Sequence, residues 1–260
     1  MKDTELVSVH FARSTESLFF KKTGRKRALT AYLNLRRSVM KEKKPPFTFA
    51  VKFVYMIWGL AMRVIYPPKI EYRDESTKRL LKEEKCIIIA NHTEHTDGYY
   101  IPQVLPSKKM YTYVTRKWYD KKKLNWLFRR LRYIPINLAE MDTEWLDKGK
   151  RVLDGGNSVM IFPEGKLSKD GRLDAFHPGF LMLARQTDVP IVPIVLLGKY
   201  KKFRRKRIIV GSPIETDLHE KGRPSVILRR QADLCHGIMA EMLGMPEVEM
   251  NTAEDMSAVH

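Results

Sequence analysis

The sequence predicts an α/β fold, a single mixed-sheet domain flanked by helices over residues 69–246, preceded by an N-terminal membrane-associated helical segment over 45–68. Three observations carry this. From Glu71 onward, short apolar runs alternate with stretches of helical pattern, as in a sheet covered by helices. A block from Phe47 to Tyr66 is the most apolar in the chain and is bracketed by Pro45-Pro46 and Pro67-Pro68. At 260 residues without an internal repeat, the chain is long enough for one substantial core rather than an array.

Residues 1–44 form a basic N-terminal region, with cationic stretches at Lys21–Arg27 and Arg36–Lys44. In the apolar block, Lys52 and Arg63 leave too few uncharged residues between them for a simple bilayer span. At about 100° per residue the two cations fall within about 20° of each other, with Met56 and Gly59 between them. A narrow basic stripe on a broad apolar surface suits a helix lying in a membrane interface, cations toward lipid phosphate. The plainer alternative is a buried helix whose two cations reach out to solvent.

Strands are predicted at Cys86–Ala90, Met110–Val114, Tyr133–Asn137, Val159–Phe162, Ile191–Val195 and Ile208–Val210. Pro193 marks its strand as irregular or at a sheet edge, because proline offers no N–H to a neighbour. Thr143 can cap a helix through Leu153 that ends at Gly155-Gly156, and Pro178 can occupy the first turn of a helix to Thr187. The stretch 225–244 places Ile227, Leu234, Ile238 and Met242 near one helix face and stops at Gly244 and Pro246. Residues 247–260 are a polar tail.

A formal net charge of +18 calls for an anionic partner: nucleic acid, an acidic membrane surface or a phosphorylated substrate. The densest run, Lys199 to Arg207, interleaves Tyr200 and Phe203 with cations, a composition that suits nucleic acid but equally an ordinary solvated loop. The apolar block decides for lipid, since it would be a liability on a nucleic-acid binder. Cys86 and Cys235 stand far apart in apolar surroundings and read as reduced core thiols. The start of the chain lacks a secretory pattern, so the expected location is the cytoplasmic face of a membrane, peripheral or monotopic.

The chemistry concentrates in IIIANHTEHTDG, where Ile87–Ala90 delivers Asn91 and His92 to a strand's carboxyl end, with Asp97 five residues on. Residues five apart on a helix are separated by about 140°, so the pair can meet only if His92 lies in the turn before the helix. A carboxylate on one imidazole nitrogen fixes the tautomer and leaves the other as a base for a hydroxyl proton. A second strand end reads Phe162-Pro163-Glu164-Gly165, placing a carboxylate beside a permissive glycine. A third signal is VPIVPIVL at 189–196.

Other chemistries fit less of the chain. His92, Glu94, His95 and Asp97 are all metal-ligand types within six residues, but no distant ligand is evident and the other two signals would go unexplained. No G-x-S-x-G elbow supports a serine hydrolase.

Asn91-His92 with Asp97, then Phe162–Gly165, then the Val-Pro-Ile-Val-Pro-Ile run, in that order and spacing, resemble the glycerolipid acyltransferase family typified by lysophosphatidate acyltransferase, over roughly residues 80–215. The resemblance implies an α/β acyltransferase domain with a basic, apolar-lined groove preceded by membrane-binding helices, of which 47–66 would be one. It implies His92 as the general base, Asp97 as its orienting partner, and Glu164 with Gly165 at the acceptor; Asn91, Lys166 and Arg116 are further candidates for substrate binding. The reaction would move a fatty acyl group from acyl-CoA or acyl carrier protein to a lysophospholipid hydroxyl, most simply that of 1-acyl-sn-glycerol-3-phosphate, with no metal or resident cofactor. The chain departs from the family pattern at Glu94, where serine is usual, and at Leu138 and Leu167, where arginines hold the acceptor phosphate. Leucine cannot donate to phosphate, so head-group recognition either shifts to Lys166, Lys169, Arg172 or Arg116, with Lys166 the expected supplier, or is directed at a different lysolipid or alcohol acceptor.

Overall fold

The computed structural model describes residues 49–121, 125, 126, 128, 131–137, 143–168 and 172–244, all within one compact unit. The basic region 1–44, the tail 247–260, Leu138 and Lys169 lie outside the described residues. The described elements run α1 (Phe49–Ile65), β1 (Pro68–Tyr72), α2 (Glu75–Glu83), β2 (Ile87–Ala90), α3 (Asp97–Val104), β3 (Met110–Thr115), α4 (Arg116–Tyr119), β4 (Tyr133–Ile136), α5 (Glu144–Asp154), β5 (Ser158–Ile161), α6 (Gly179–Thr187), β6 (Ile191–Leu197), β7 (Lys206–Val210) and α7 (Pro224–Met242).

The strands form one sheet in the order β1-β7-β6-β2-β5-β3-β4. Neighbours are parallel except β6 and β7, so the sheet is mixed, as expected. Alternating residues divide the core into two layers. Ile87, Ile89, Val159, Ile161, Ile191 and Val195 pack with Leu153 of α5, Leu183 of α6 and Cys235 of α7. Ile88, Ala90, Met160, Val192 and Ile194 face the other way, onto Leu81 of α2, Tyr100 and Ile101 of α3, and Met62 of α1. Burial on both faces is why the central strands read as unbroken apolar runs rather than alternating ones.

All six predicted strands are present with shifted ends; β1 was not expected. Its sequence, PKIEY, sets two charged residues around one isoleucine, because it is an edge strand whose Glu71 pairs at the surface with Lys69 and Arg207. The reading of Pro193 needs correction. β6 is an interior strand between β7 and β2, with Pro193 aligned to Ile89. The proline is tolerated because β7 pairing begins only at Ile194, and beyond it the Pro193 carbonyl takes the N–H of Gly211 at 2.9 Å. A Cβ at Gly211 would lie 2.8 Å from Pro193 Cγ and 2.9 Å from Met242 Sδ, so the ring sits where only glycine leaves room.

The predicted helices stand at α5, α6 and α7, with Thr143 and Pro178 as their N-terminal flanking residues, although the Thr143 side chain makes no capping bond. α1 occupies the apolar block; of the predicted stripe, the Lys52 side chain lies outside the described residues, and Met56 and Arg63 are exposed. Gly59 and Met62 are buried against the domain, and the Arg63 guanidinium turns onto the Gln103 carbonyl of α3. Phe53, Val54, Met56, Ile57, Trp58, Leu60 and Val64 are exposed along the helix. No described helix is long and apolar enough to cross a membrane.

Candidate active site

The parallel pairing of β2 and β5 builds the site. Ile89 is aligned with Ile161, so the two tails Asn91-His92 and Phe162–Gly165 leave the sheet side by side at their carboxyl ends. Asn91 is buried and closes a two-way hydrogen bond with the main chain of Leu196, donating to its carbonyl at 3.2 Å and accepting its N–H at 2.7 Å. That side chain extends the β2–β6 pairing where the ladder ends, and it holds the root of the His92 turn.

His92 lies in that turn and Asp97 is the first residue of α3, the arrangement that the spacing demanded. His92 Nδ1 stands 3.3 Å from Asp97 Oδ2. The carboxylate is completely buried, and it is satisfied by its own turn: Oδ2 accepts the N–H groups of Thr93 at 2.6 Å and Glu94 at 2.7 Å. A charge with that many donors stays where it is put. From the far side, the Tyr200 hydroxyl donates to Asp97 Oδ1 at 2.7 Å. Burial, with the Asp97 charge beside it, pushes the Tyr200 hydroxyl well above the ordinary tyrosine range, so it remains a donor.

The imidazole is clamped on a second side by Phe162, whose ring stacks on it at 4.1 Å and 15°. Its main chain is held as well. The His92 N–H donates to Glu164 Oε1 at 2.9 Å, and the Ser168 N–H donates to the His92 carbonyl at 2.9 Å. Glu164 is buried, and its second oxygen takes the N–H of Asp174 at 3.0 Å. Burial raises the Glu164 pKa, with the two N–H bonds acting against it. Gly165 follows with φ of 67°, a left-handed turn that a side chain would strain.

His92 opens onto a cleft of about 720 Å³. Tyr99, Trp118, Tyr133, Trp145 and Phe180 wall it, and His95, Gly165, Lys166 and Leu167 also line it. An apolar chamber of that size with an imidazole at one side can hold a long hydrocarbon chain and take a proton from a hydroxyl brought beside Nε2. Of the predicted site residues, the structure thus brings together His92, Asp97, Glu164, Gly165 and Lys166. Asn91 is set beneath the turn. Arg116 lies outside the lining and faces Asp120 at 3.4 Å and Glu144 at 3.7 Å. Lys166 sits at the mouth, largely exposed, 3.3 Å from Asp174. Among the described residues, no three His, Cys, Asp or Glu side chains converge to hold a metal ion. Tyr200 was not singled out as a site residue because it sits in the run of cations between β6 and β7; its signal was an aromatic residue three positions past the end of a strand.

The family model described as Acyltransferase matches residues 69–197. The chain is 30% identical over 158 residues to a 1-acyl-sn-glycerol-3-phosphate acyltransferase of Limnanthes douglasii, covering 58% of this chain and 53% of the relative. It is 30% identical over 178 residues to the enzyme of that name from Cocos nucifera, covering 61% and 54%, and 26% identical over 194 residues to the human beta form, covering 69% and 66%. It therefore spans about half the length of the two plant relatives. The crystal structure of the 1-acyl-sn-glycerophosphate (LPA) acyltransferase PlsC from Thermotoga maritima superposes with a TM-score of 0.55 at 18% identity, over 85% of this chain and 90% of that one, and so shares the fold. The chain belongs to the acyltransferase family.

Proposed function

We propose that the chain transfers a fatty acyl group from acyl-CoA or acyl carrier protein to the free hydroxyl of 1-acyl-sn-glycerol-3-phosphate, giving phosphatidic acid. The observation that carries this reading is the His92–Asp97 pair set at the wall of an apolar cleft. Asp97 holds Nδ1, so Nε2 takes the proton of the acceptor hydroxyl as its oxygen attacks the thioester carbonyl. The carbon–sulfur bond then breaks, and the leaving thiolate recovers the proton from the imidazolium. The aromatic walls receive the acyl chain. The plant and human relatives named for this activity support the choice of acceptor.

Glu164 serves the acceptor site through the main chain that it holds, since both of its oxygens are occupied by backbone N–H groups. Lys166 supplies the phosphate charge in place of the arginines absent at Leu138 and Leu167. Arg116 lends positive potential from outside the cleft.

The partner surface is an anionic membrane, at its cytoplasmic face, and not nucleic acid. The exposed apolar face of α1 supports this, with the loop 199–205 at its C-terminal end. There the N–H of Phe203 donates to the Ile65 carbonyl, while Lys199, Lys201, Lys202, Arg204 and Arg205 are exposed. Drawing a long acyl chain into water costs about 0.8 kcal/mol per methylene, so an acceptor is best collected at the bilayer. Attachment without a described spanning helix is peripheral or monotopic.

The test is an acceptor screen that follows free thiol release from acyl-CoA by the full chain, comparing wild type with His92→Ala and Asp97→Asn. Both variants are expected to lose turnover by at least about 10² to 10⁴ while still sedimenting with anionic vesicles. Turnover that survives His92→Ala sinks the proposal. Selective acylation of a different lysolipid would keep the chemistry and change the acceptor.

A further inference from the structure

We infer that Tyr200 is a positioning residue for the reaction, acting on His92 through Asp97. The inference rests on the general-base reading above and adds to it a residue outside the family's motifs. Tyr200 belongs to the β6–β7 loop, more than a hundred residues from the turn it serves, and it is not among the residues that line the cleft.

The argument starts from the unequal loading of the Asp97 carboxylate. Oδ2 takes the Thr93 and Glu94 N–H groups and faces His92 Nδ1. On Oδ1 the short bond is that of the Tyr200 hydroxyl, at 2.7 Å; the Thr93 hydroxyl stands at 3.4 Å and is closer, at 3.2 Å, to Oδ2. A buried carboxylate held firmly at one oxygen only can turn about its Cβ–Cγ bond, and the turn would move the acceptor away from Nδ1. Tyr200 blocks that rotation and shares the desolvated charge.

The ring itself has little freedom. It meets Tyr66 edge-on at 5.2 Å and Tyr100 edge-on at 5.3 Å. On its face lies the Lys206 ammonium, 4.2 Å from the ring centre, buried and anchored by the Gly198 carbonyl. A buried cation under the ring and a buried carboxylate at its hydroxyl balance one another across the phenol. Tyr200 is therefore the rigid spacer in a row that runs Lys206, Tyr200, Asp97, His92.

The test compares Tyr200→Phe with Tyr100→Phe in the full chain. The second variant removes a hydroxyl of the same aromatic cluster, one that donates to the Tyr66 carbonyl at 2.6 Å and does not touch Asp97. Tyr200→Phe is expected to lower kcat about tenfold to a hundredfold with KM for donor and acceptor nearly unchanged, whereas Tyr100→Phe keeps kcat within about twofold of wild type. In an Asp97→Asn background, Tyr200→Phe should cost nothing further, because the two changes break the same link. Wild-type kcat in Tyr200→Phe, an equal loss in Tyr100→Phe, or a loss that simply adds to that of Asp97→Asn would overturn the inference. Full turnover by Asp97→Asn alone would instead remove the general-base reading, and this inference with it.

Discussion

The Glu164 carboxylate carries the main chain of His92: one oxygen takes the His92 N–H at 2.9 Å and the other takes that of Asp174 at 3.0 Å. The His92 turn and the segment after β5 are thereby tied through one buried side chain. Glu164→Gln keeps a single acceptor and turns an amide N–H₂ toward a backbone donor. Loss of one hydrogen bond to a charged group costs about 1.5–3 kcal/mol, and the variant should melt lower and, with the His92 main chain released, turn over slowly.

The same carboxyl has a readable pH signature. Burial, the largest influence, raises its pKa, so the folded chain holds this proton more tightly than the unfolded chain does. Its contribution to stability is then fully present below the ordinary glutamate range and is lost as pH rises through the raised folded value. Melting profiles of wild type and Glu164→Gln should show the wild-type advantage shrinking from acid toward neutral pH. An advantage that grows over that interval would mean that the two N–H bonds outweigh burial.

If the acceptor carries a phosphate, as proposed above, Lys166 is the candidate cation among the described residues that lines the cleft, whereas Arg116 faces Asp120 and Glu144 outside it. Its ion pair with Asp174 is largely exposed and is therefore worth little, so a phosphate can displace it. Lys166→Met should raise KM for a phosphate-bearing acceptor about tenfold and leave KM for acyl-CoA alone. Equal acceptor KM values in the two proteins would assign the phosphate to another group.

Much of this site could be read before any coordinates were known, and the reason is local. His92 and Asp97 lie five residues apart in one turn, and Glu164 follows a strand whose apolar run announces itself, so their placement needs only the ends of two adjacent strands. Tyr200, Phe162 stacked on His92, and the outward face of α1 depend on which strands and helices become neighbours, and periodicity carries no such information. Pro193 misled for the same reason. Its missing N–H looks like an edge signal until β7 is seen to begin its pairing one residue later.

Cys86 and Cys235 are fully buried free thiols, and burial pushes them up to about 11 and about 12. The nucleophile is the thiolate, so neither should react at neutral pH in the folded chain. A thiol-specific chromogenic reagent should find no fast-reacting group in native protein and two after denaturation. Prompt native labelling with loss of activity would contradict the packing of Cys86 behind the β2 strand that carries the site.

The outward face of α1 sets the strongest expectation for the membrane. Trp58, Leu60 and Val64 are each about 60% exposed, on a helix whose opposite side is fastened to α3 through Met62 and Arg63. Each large apolar side chain moved from water into lipid gains about 1.5–3 kcal/mol, so a charge at one of these positions removes that gain and adds a cost. Trp58→Glu and Leu60→Glu together should abolish sedimentation with anionic vesicles. They leave the packing under the helix untouched, so the melting temperature should hold, as should turnover of a short-chain acceptor dissolved in water. If vesicle binding persists while melting is unchanged, α1 is not the docking face, and the exposed cations of loop 199–205 become the next surface to alter.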